Sequence, residues 1–281
     1  MANLMVGREV SFPVDKPEPG FGKEVLRVEH LTVRNEDRYE VVKDVSFSVR
    51  EGEIFVVAGV SGNGQIELAD AIAGLMKPAA GTITLNGVDI TSYSIRRRNL
   101  AGLSYIPEDR HNVGLVMDFT LSDNLALKSY FKEPFSTKGV VHTDAFMKYG
   151  ETLIDKYDIR SSQGNDTVVR SMSGGNQQKA IIAREIELDS SLTIFVQPTR
   201  GLDIGAIENI HKQIVDERNK GKAILLISLE LDEVMNLADT IGVIYNGAIQ
   251  KIADARTLTP TEVGEFMMGV GDRNANRHGK V

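Results

Sequence analysis

Residues 59–66 have a composition and a spacing suited to holding phosphate groups. They read GVSGNGQI, follow the apolar run IFVVA and precede a segment with helical periodicity. The three glycines would let the backbone approach phosphate oxygens closely, and a helix beginning near Gln65 would direct its N–H groups and positive dipole end towards them. The predicted contacts are Gly59, Val60, Ser61, Gly62, Asn63, Gly64, Gln65 and Ile66.

The ionic part of phosphate binding is missing from this loop. Gln65 stands where a phosphate loop usually has lysine, and Ile66 stands where it has a hydroxyl that binds Mg²⁺. Gln65 offers only a neutral amide donor, and Ile66 cannot ligate a metal. Because a charge-assisted hydrogen bond contributes about 1.5–3 kcal/mol, its loss would weaken nucleotide binding about ten- to a hundredfold. The sequence therefore predicts weak nucleotide binding that depends little on Mg²⁺.

Two other interpretations of the loop stay open at this point. A glycine-rich turn between a strand and a helix can be purely structural and bind nothing. The spacing GxxGxG also suits some dinucleotide-binding reductases. A reductase would need a hydride-transfer site such as a Tyr-x-x-x-Lys pair downstream of the loop, whereas Tyr39 and Lys43 lie upstream of it.

A second segment that could contact phosphate is SMSGGNQQK, residues 171–179, at the start of a predicted helix. Ser173 offers a hydroxyl, and Gly174 and Gly175 allow close backbone approach beside the positive end of the helix. Taken alone, SGG would be an ordinary serine cap with a glycine turn. MSGGNQQK, however, resembles the signature motif of ATP-binding-cassette (ABC) ATPases, in the variant LSGGNQQK found in the second cassette of tandem importers for simple sugars and nucleosides. The resemblance implies nucleotide contacts at Ser173, Gly174, Gly175, Asn176 and Gln177.

The resemblance extends from about residue 24 to residue 270. YIPEDR at 105–110 is similar to the loop that joins core and helical subdomain, with Glu108 where many ABC proteins have glutamine. VQPTRGLD at 196–203 is similar to the segment that ends in the D-loop aspartate, here Asp203.

Three catalytic positions of that family pattern carry other residues in this chain. An Asp that organises Mg²⁺ and a Glu that polarises water are replaced by Val196 and Gln197. Gln197, at the general-base position, can orient water but cannot act as a base. ISLELDEV at 227–234 is similar to the segment with the switch histidine, and Leu229 stands at that position. The expected result is an isolated chain without efficient ATPase activity.

Several functional expectations follow from the resemblance. Two ABC cassettes pack head to tail, so this chain would supply its signature to the ATP and Mg²⁺ site of a partner cassette, while its own site binds ATP weakly. The partner cassette is expected in the same polypeptide. The implied function is the ATP-binding domain of an importer for nucleosides or simple sugars, at the inner face of the cell membrane. GNGQ, QPTRGLD and ELDE favour the nucleoside branch. The other partners would be permease subunits and, indirectly, a substrate-binding protein. The alternative is a nucleotide-responsive regulator without catalysis.

The hydrophobic pattern of the segments around these residues predicts an α/β fold. Apolar runs such as IFVVA and AILLISL read as buried parallel strands that alternate with amphipathic helices. The resemblance implies a P-loop NTPase core like RecA, an antiparallel β-subdomain and an inserted helical subdomain at about 115–190. Residues 1–23 read as a linker after the tail of a preceding cassette, because LMVG at 4–7 is similar to FMMG at 266–269. Residues 271–281 read as a disordered tail.

Composition excludes several other classes of protein. The net charge of −7 argues against a protein built mainly to bind nucleic acid, and the absence of cysteine excludes disulfides and cysteine-based zinc sites. The apolar runs are far shorter than the roughly 20 residues that a membrane span needs. RRR at 96–98 reads as a solvated face, and Tyr39 is a candidate for stacking on adenine. The histidines lack metal-ligand spacing and are expected at surface or helical positions: His30, His111, His142, His211 and His278.

Overall fold

The computed structural model describes residues 16–18 and 20–270. The strands are β1 Glu24–Arg34, β2 Glu40–Arg50, β3 Ile54–Ala58, β4 Pro78–Leu85, β5 Val88–Asp89, β6 Leu103–Ile106, β7 Ser136–Thr137, β8 Val140–Val141, β9 Leu192–Val196, β10 Ala223–Ser228, β11 Thr240–Tyr245 and β12 Ala248–Asp254. The α-helices are α1 Gln65–Ala73, α2 Ile95–Leu100, α3 Leu121–Ala126, α4 Thr143–Lys156, α5 Gly174–Ile186, α6 Ile204–Asn219, α7 Leu231–Leu237 and α8 Pro260–Met267.

The central sheet has six strands in the order β12-β11-β3-β10-β9-β6. All neighbours pair in parallel except β11 and β12, which form an antiparallel hairpin at one edge. Every residue of β3, β9 and β10 is buried, because both faces of these strands are covered. This arrangement confirms the predicted α/β class and brings the carboxyl ends of β3, β9 and β10 to one edge.

The two faces of this sheet pack against different layers. On one face, side chains such as Val56 and Leu226 pack with residues of α5, α6 and α7. On the other face, Val57 and Leu225 pack with α1 and with a four-stranded antiparallel sheet of order β2-β1-β4-β5. The antiparallel layer was expected, and its strands alternate buried and exposed residues, as a sheet with one solvated face does.

The helical insertion lies between β6 and β9, as predicted, and contains α3, α4 and α5. Its additional features, the two-residue strands β7 and β8, are too short to leave a periodic signal in the sequence. The strand β12 was also not predicted, because it lies at the sheet edge with mostly half-exposed residues.

Arg98 is buried against the C-terminal end of α1. RRR at 96–98 was expected to be a solvated face, but Arg98 is only 1% exposed. Its guanidinium donates to the carbonyls of Ala71 and Ile72 at 2.9 and 2.7 Å, and also to those of Thr91 and Tyr93. A positive charge at these carbonyls stabilises the C-terminal end of α1, the helix that follows the phosphate loop.

The segment before β1 contacts the core. The ammonium of Lys16 donates to the carbonyls of Leu237 and Ala238 at 2.9 and 2.7 Å and pairs with Asp239 at 2.9 Å. Asp239 in turn pairs with Arg218. The expected cassette tail at 4–7 and the expected disordered tail at 271–281 lie outside the described residues. No helix in residues 16–18 and 20–270 is both long and apolar enough to cross a membrane.

Candidate functional site

The phosphate loop occupies the carboxyl end of β3 and leads into α1, as the sequence predicted. Gly62 and Gly64 have φ angles of 85° and 96°, which favour glycine. At Gly64 a side chain would also overlap the carbonyl of Val41. The backbone therefore has the tight path of a phosphate-binding turn, and α1 begins at Gln65.

The side chain of Gln65 closes this loop from inside. It is 2% exposed, its Nε2 donates to the carbonyl of Val60 at 2.9 Å, and its Oε1 accepts from the Asn63 N–H at 3.1 Å. The amide that was expected to face phosphate is thus turned into its own loop, and it also engages a backbone donor. Contact between phosphate and the Asn63 N–H requires the hydrogen bond to Gln65 to break.

Asn63 fixes the loop to the β11–β12 hairpin. Its Oδ1 accepts from the Asn246 N–H at 2.7 Å, and its carbonyl accepts from the Gly247 N–H at 3.1 Å. Its Nδ2 donates to Val60, the same carbonyl that Gln65 uses. These contacts hold the loop in place against the hairpin.

The signature turn is more open. Ser173 is exposed at the start of α5, and its hydroxyl makes no hydrogen bond to the first turn of that helix. Asn176 instead donates from Nδ2 to Ser173 Oγ at 2.9 Å, while its Oδ1 accepts from the Arg160 N–H at 2.8 Å. Asn176 thus fixes the position of the Ser173 oxygen, and the hydroxyl hydrogen stays available to an acceptor outside.

Asp203 lies beside this turn. Its carboxylate caps α6 by accepting from the Ala206 N–H at 2.9 Å. A cavity of about 330 Å³ is lined by Ser173, Gly175, Asn176 and Asp203 together with residues of α6. The structure therefore brings together four of the predicted contact residues, from two distant parts of the sequence.

Gln177 does not belong to this surface. It is 3% exposed, donates to the carbonyl of Val169 at 2.9 Å and contacts His111 at 3.1 Å through Oε1. The expectation of a nucleotide contact here is wrong, because position 177 faces the interior of the helical insertion. Helical periodicity could have indicated this, since Gln177 lies three residues before the buried Ala180 and four before Ile181.

Glu108, an expected nucleotide contact, and the three replaced catalytic positions of the family pattern lie near the carboxyl ends of the central strands. Glu108 is half-buried and pairs with Arg200. Val196 is fully buried in β9, and the N–H of Gln197 donates to the carbonyl of Ile227 at 2.9 Å. Leu229 follows β10 and is half-exposed. No group of at least three His, Cys, Asp or Glu residues within the described ranges could hold a metal ion.

A buried charge cluster fixes α5 against the core. Glu185 of α5 pairs with Lys128 at 2.7 Å and with Arg184 at 3.0 Å. Burial alone would raise the pKa of Glu185, but these two cations outweigh it and hold the pKa below its ordinary value. Glu185 also accepts from the Tyr105 N–H of β6 at 3.3 Å. The helix that begins at the signature turn is therefore held in a defined orientation.

Comparison with known proteins assigns the fold and the family. A family model described as "ABC transporter" matches residues 42–200. The chain is 47% identical over 277 residues to a guanosine import ATP-binding protein of Bacillus subtilis, covering 99% of this chain and 54% of that protein. It is 45% identical to a nucleoside import ATP-binding protein of Lactococcus lactis, covering 96% and 53%. A glucose import ATP-binding protein of Haloferax volcanii is 38% identical, with coverage of 100% and 51%.

The chain thus spans about half the length of the curated relatives it matches. Among solved structures, a dimeric ATP-binding cassette bound to ADP and phosphate superposes with a TM-score of 0.70 at 18% identity, covering 83% of this chain and all of that one. A nucleotide-free ATP-binding cassette has a TM-score of 0.69 at 23% identity, with coverage of 83% and 92%. At these identities the two structures bear on the fold alone.

Proposed function

This chain belongs to the ABC transporter family of ATP-binding cassettes, and from that premise we propose that it is one cassette of an importer for nucleosides or simple sugars. In this proposal it supplies its signature turn to the ATP site of a partner cassette, and its own phosphate-loop site is degenerate. Nucleosides are the preferred substrate class, because the relatives that are 47% and 45% identical are named for guanosine and nucleoside import.

The observation that carries the proposal is the difference between the two glycine turns. The phosphate loop is closed by Gln65 and contains neither a lysine nor a metal-binding hydroxyl at its two key positions. The signature turn exposes the Ser173 hydroxyl beside a cavity of about 330 Å³. An anion can therefore approach Ser173 and Gly174 without breaking an internal hydrogen bond of the turn, whereas in the phosphate loop Gln65 already occupies the Asn63 N–H.

A partner cassette follows from this asymmetry. Ser173, Gly175 and Asn176 line a cavity to which the phosphate loop of this chain does not contribute, so the nucleotide that they and Gly174 would contact must be held by another cassette. The curated relatives are about twice as long as this chain, which supports a second cassette in the same polypeptide. The cassette of this chain would span residues 24–270, with its helical subdomain at about 115–190.

The remaining partners follow from the proposed importer. The two cassettes would act on a membrane-embedded permease from the inner face of the cell membrane, and a substrate-binding protein would be an indirect partner. ATP with Mg²⁺ would turn over at the partner's site. A regulator without transport is not favoured, because the three relatives described above are named for import.

The experiment compares this chain alone with this chain joined to a catalytically competent cassette. We expect weak, weakly Mg²⁺-dependent ATP binding and no steady hydrolysis from the chain alone, and full activity from the pair. Copurification with a permease, followed by nucleoside uptake in vesicles, tests the transport part. Steady turnover by the chain alone at about 1 s⁻¹ or faster, an ordinary enzymatic rate, would contradict the proposal.

A further inference from the structure

Arg110 lies directly over the signature turn, although it comes from a loop more than 60 residues earlier in the sequence. Its Nη2 is 3.9 Å from the position that a Cβ on Gly174 would occupy and 4.0 Å from the corresponding position on Gly201. Its Nη1 donates to the carbonyl of Arg200 at 3.2 Å. The guanidinium therefore borders both the signature turn and the segment that leads to Asp203.

Among the described residues, none neutralises the guanidinium of Arg110. No carboxylate in the described part of the chain lies within 4.0 Å of it, and the Arg200 carbonyl uses only one of its five N–H donors. Burial lowers the pKa of Arg110, and the charge of Asp109 raises it in part. An arginine stays protonated despite such a shift, so a half-buried positive charge remains available to a ligand.

The neighbouring carboxylate is occupied elsewhere. Asp109 accepts from the N–H groups of His111 and Asn112 at 2.9 and 3.0 Å and from the Asn112 side chain at 2.7 Å. These bonds fix the turn from which Arg110 projects, and they keep the Asp109 carboxylate away from the guanidinium. Arg200 differs from Arg110 in this respect, because it is exposed and pairs with Glu108.

We propose that Arg110 binds the terminal phosphate of the nucleotide that Ser173 and Gly174 contact, which adds a positive charge to the signature site. This inference rests on the proposed function, since the nucleotide belongs to the partner cassette. The planar guanidinium of arginine can donate two parallel hydrogen bonds to phosphate oxygens. The γ-phosphate of ATP would place negative charge beside Arg110 and the Ser173 hydroxyl, whereas ADP has no phosphate at that position.

The test uses the complete ATPase that this chain forms with its partner cassette. Arg110→Gln removes the charge with little change in volume, and Arg200→Gln is the matched control because Arg200 is already paired. For each variant the affinities for a non-hydrolysable ATP analogue and for ADP are measured by titration. Arg110→Gln should weaken the ATP analogue about 10- to 100-fold and ADP less than about threefold, since a charge-assisted hydrogen bond is lost only with the triphosphate.

Arg110→Lys is the control for a folding defect, because it keeps the positive charge but lacks the planar guanidinium. It should bind the ATP analogue with an affinity between those of the wild type and Arg110→Gln. Equal losses for ATP analogue and ADP, or equal losses in the Arg110→Gln and Arg200→Gln variants, would overturn the inference. Weaker association of the two cassettes without nucleotide would also overturn it, since Arg110 would then pair with a partner carboxylate.

Gly174→Asp separates this inference from the proposed function. If Gly174→Asp abolishes ATPase activity while Arg110→Gln has no selective effect on the triphosphate, the signature site is real and only the role of Arg110 is wrong. If Gly174→Asp leaves the activity intact, the proposed function itself fails.

Discussion

The phosphate loop and the signature turn are both glycine-rich, and each leads into a helix, yet their side chains are used in opposite ways. In the phosphate loop, Gln65 Oε1 accepts from the Asn63 N–H, a donor that phosphate could otherwise contact, and the side-chain amides of Gln65 and Asn63 both donate to the Val60 carbonyl. In the signature turn, Asn176 fixes the Ser173 oxygen and leaves the hydroxyl hydrogen available. The two turns therefore differ in that Gln65 already uses one backbone donor of its loop, whereas Asn176 leaves the Ser173 donor available.

Gly174→Asp should have the largest effect on activity. The nearest neighbour of a Cβ at this position outside its own helix is Arg110 Nη2 at 3.9 Å, so there is space for a Cβ. The added carboxylate would neutralise the Arg110 guanidinium and repel the partner's terminal phosphate, and we expect ATPase activity of the paired cassettes to fall at least about a hundredfold. The measurement is steady-state hydrolysis at saturating Mg-ATP. Gly174→Asn has nearly the same shape without the charge, and a loss as large as that of Gly174→Asp would contradict the electrostatic explanation.

Arg98→Met should have the largest effect on stability near the phosphate loop. It removes four guanidinium hydrogen bonds to carbonyls and leaves those of Ala71 and Ile72 buried without their donor. We expect the free energy of unfolding to fall by about 2–4 kcal/mol, measured by urea denaturation.

Arg97→Met is the control for Arg98→Met. Arg97 is exposed and stacks on Tyr93 at 3.6 Å, so its loss should change the free energy of unfolding by about 0.5 kcal/mol or less. Similar effects of the two variants would show that the buried carbonyls at the end of α1 do not need the guanidinium.

Asn176→Asp should reverse the polarity at Ser173. The aspartate keeps an oxygen for the Arg160 N–H but cannot donate to Ser173 Oγ, so it takes the hydroxyl hydrogen as an acceptor. We expect kcat/KM of the paired cassettes for ATP to fall about tenfold, the loss of one charge-assisted hydrogen bond. In a Ser173→Ala background the same change should have little further effect. Additive losses in the double variant would contradict the link between these two side chains.

Gln65→Lys combined with Ile66→Ser should have a smaller effect, a gain in Mg-ATP binding by the phosphate loop. The lysine adds a charge and releases the N–H of Asn63, while serine adds a metal ligand. We expect Mg-ATP binding by this chain to strengthen about tenfold, by calorimetry, without hydrolysis, because Val196, Gln197 and Leu229 remain. Gln65→Met opens the loop without adding a charge and serves as the control. Unchanged binding in the double variant would mean that this loop does not contact phosphate.

The sequence predicted the sheet, the helical insertion and both glycine turns, because these depend on local periodicity and on glycine spacing. It could not predict how side chains pair across the fold. The internal bonds of Gln65, the buried position of Arg98 and the approach of Arg110 to Gly174 all depend on tertiary packing. From the sequence alone, RRR is expected to be solvated, because nothing in it indicates which of the three arginines faces the end of α1. Gln177 is part of the signature motif but lies on the buried face of α5, and similarity to the motif does not indicate which face a residue occupies.

The division into a working signature and a degenerate phosphate loop is tested most directly by Gln65→Ala in the paired cassettes. Steady-state ATPase activity is measured at saturating Mg-ATP beside Gly174→Asp, with thermal melting as the check on folding. Because Gln65 only closes its own loop, Gln65→Ala should keep more than about half of the wild-type rate, whereas Gly174→Asp should keep about 1% or less. A loss in Gln65→Ala as large as that in Gly174→Asp would contradict the account.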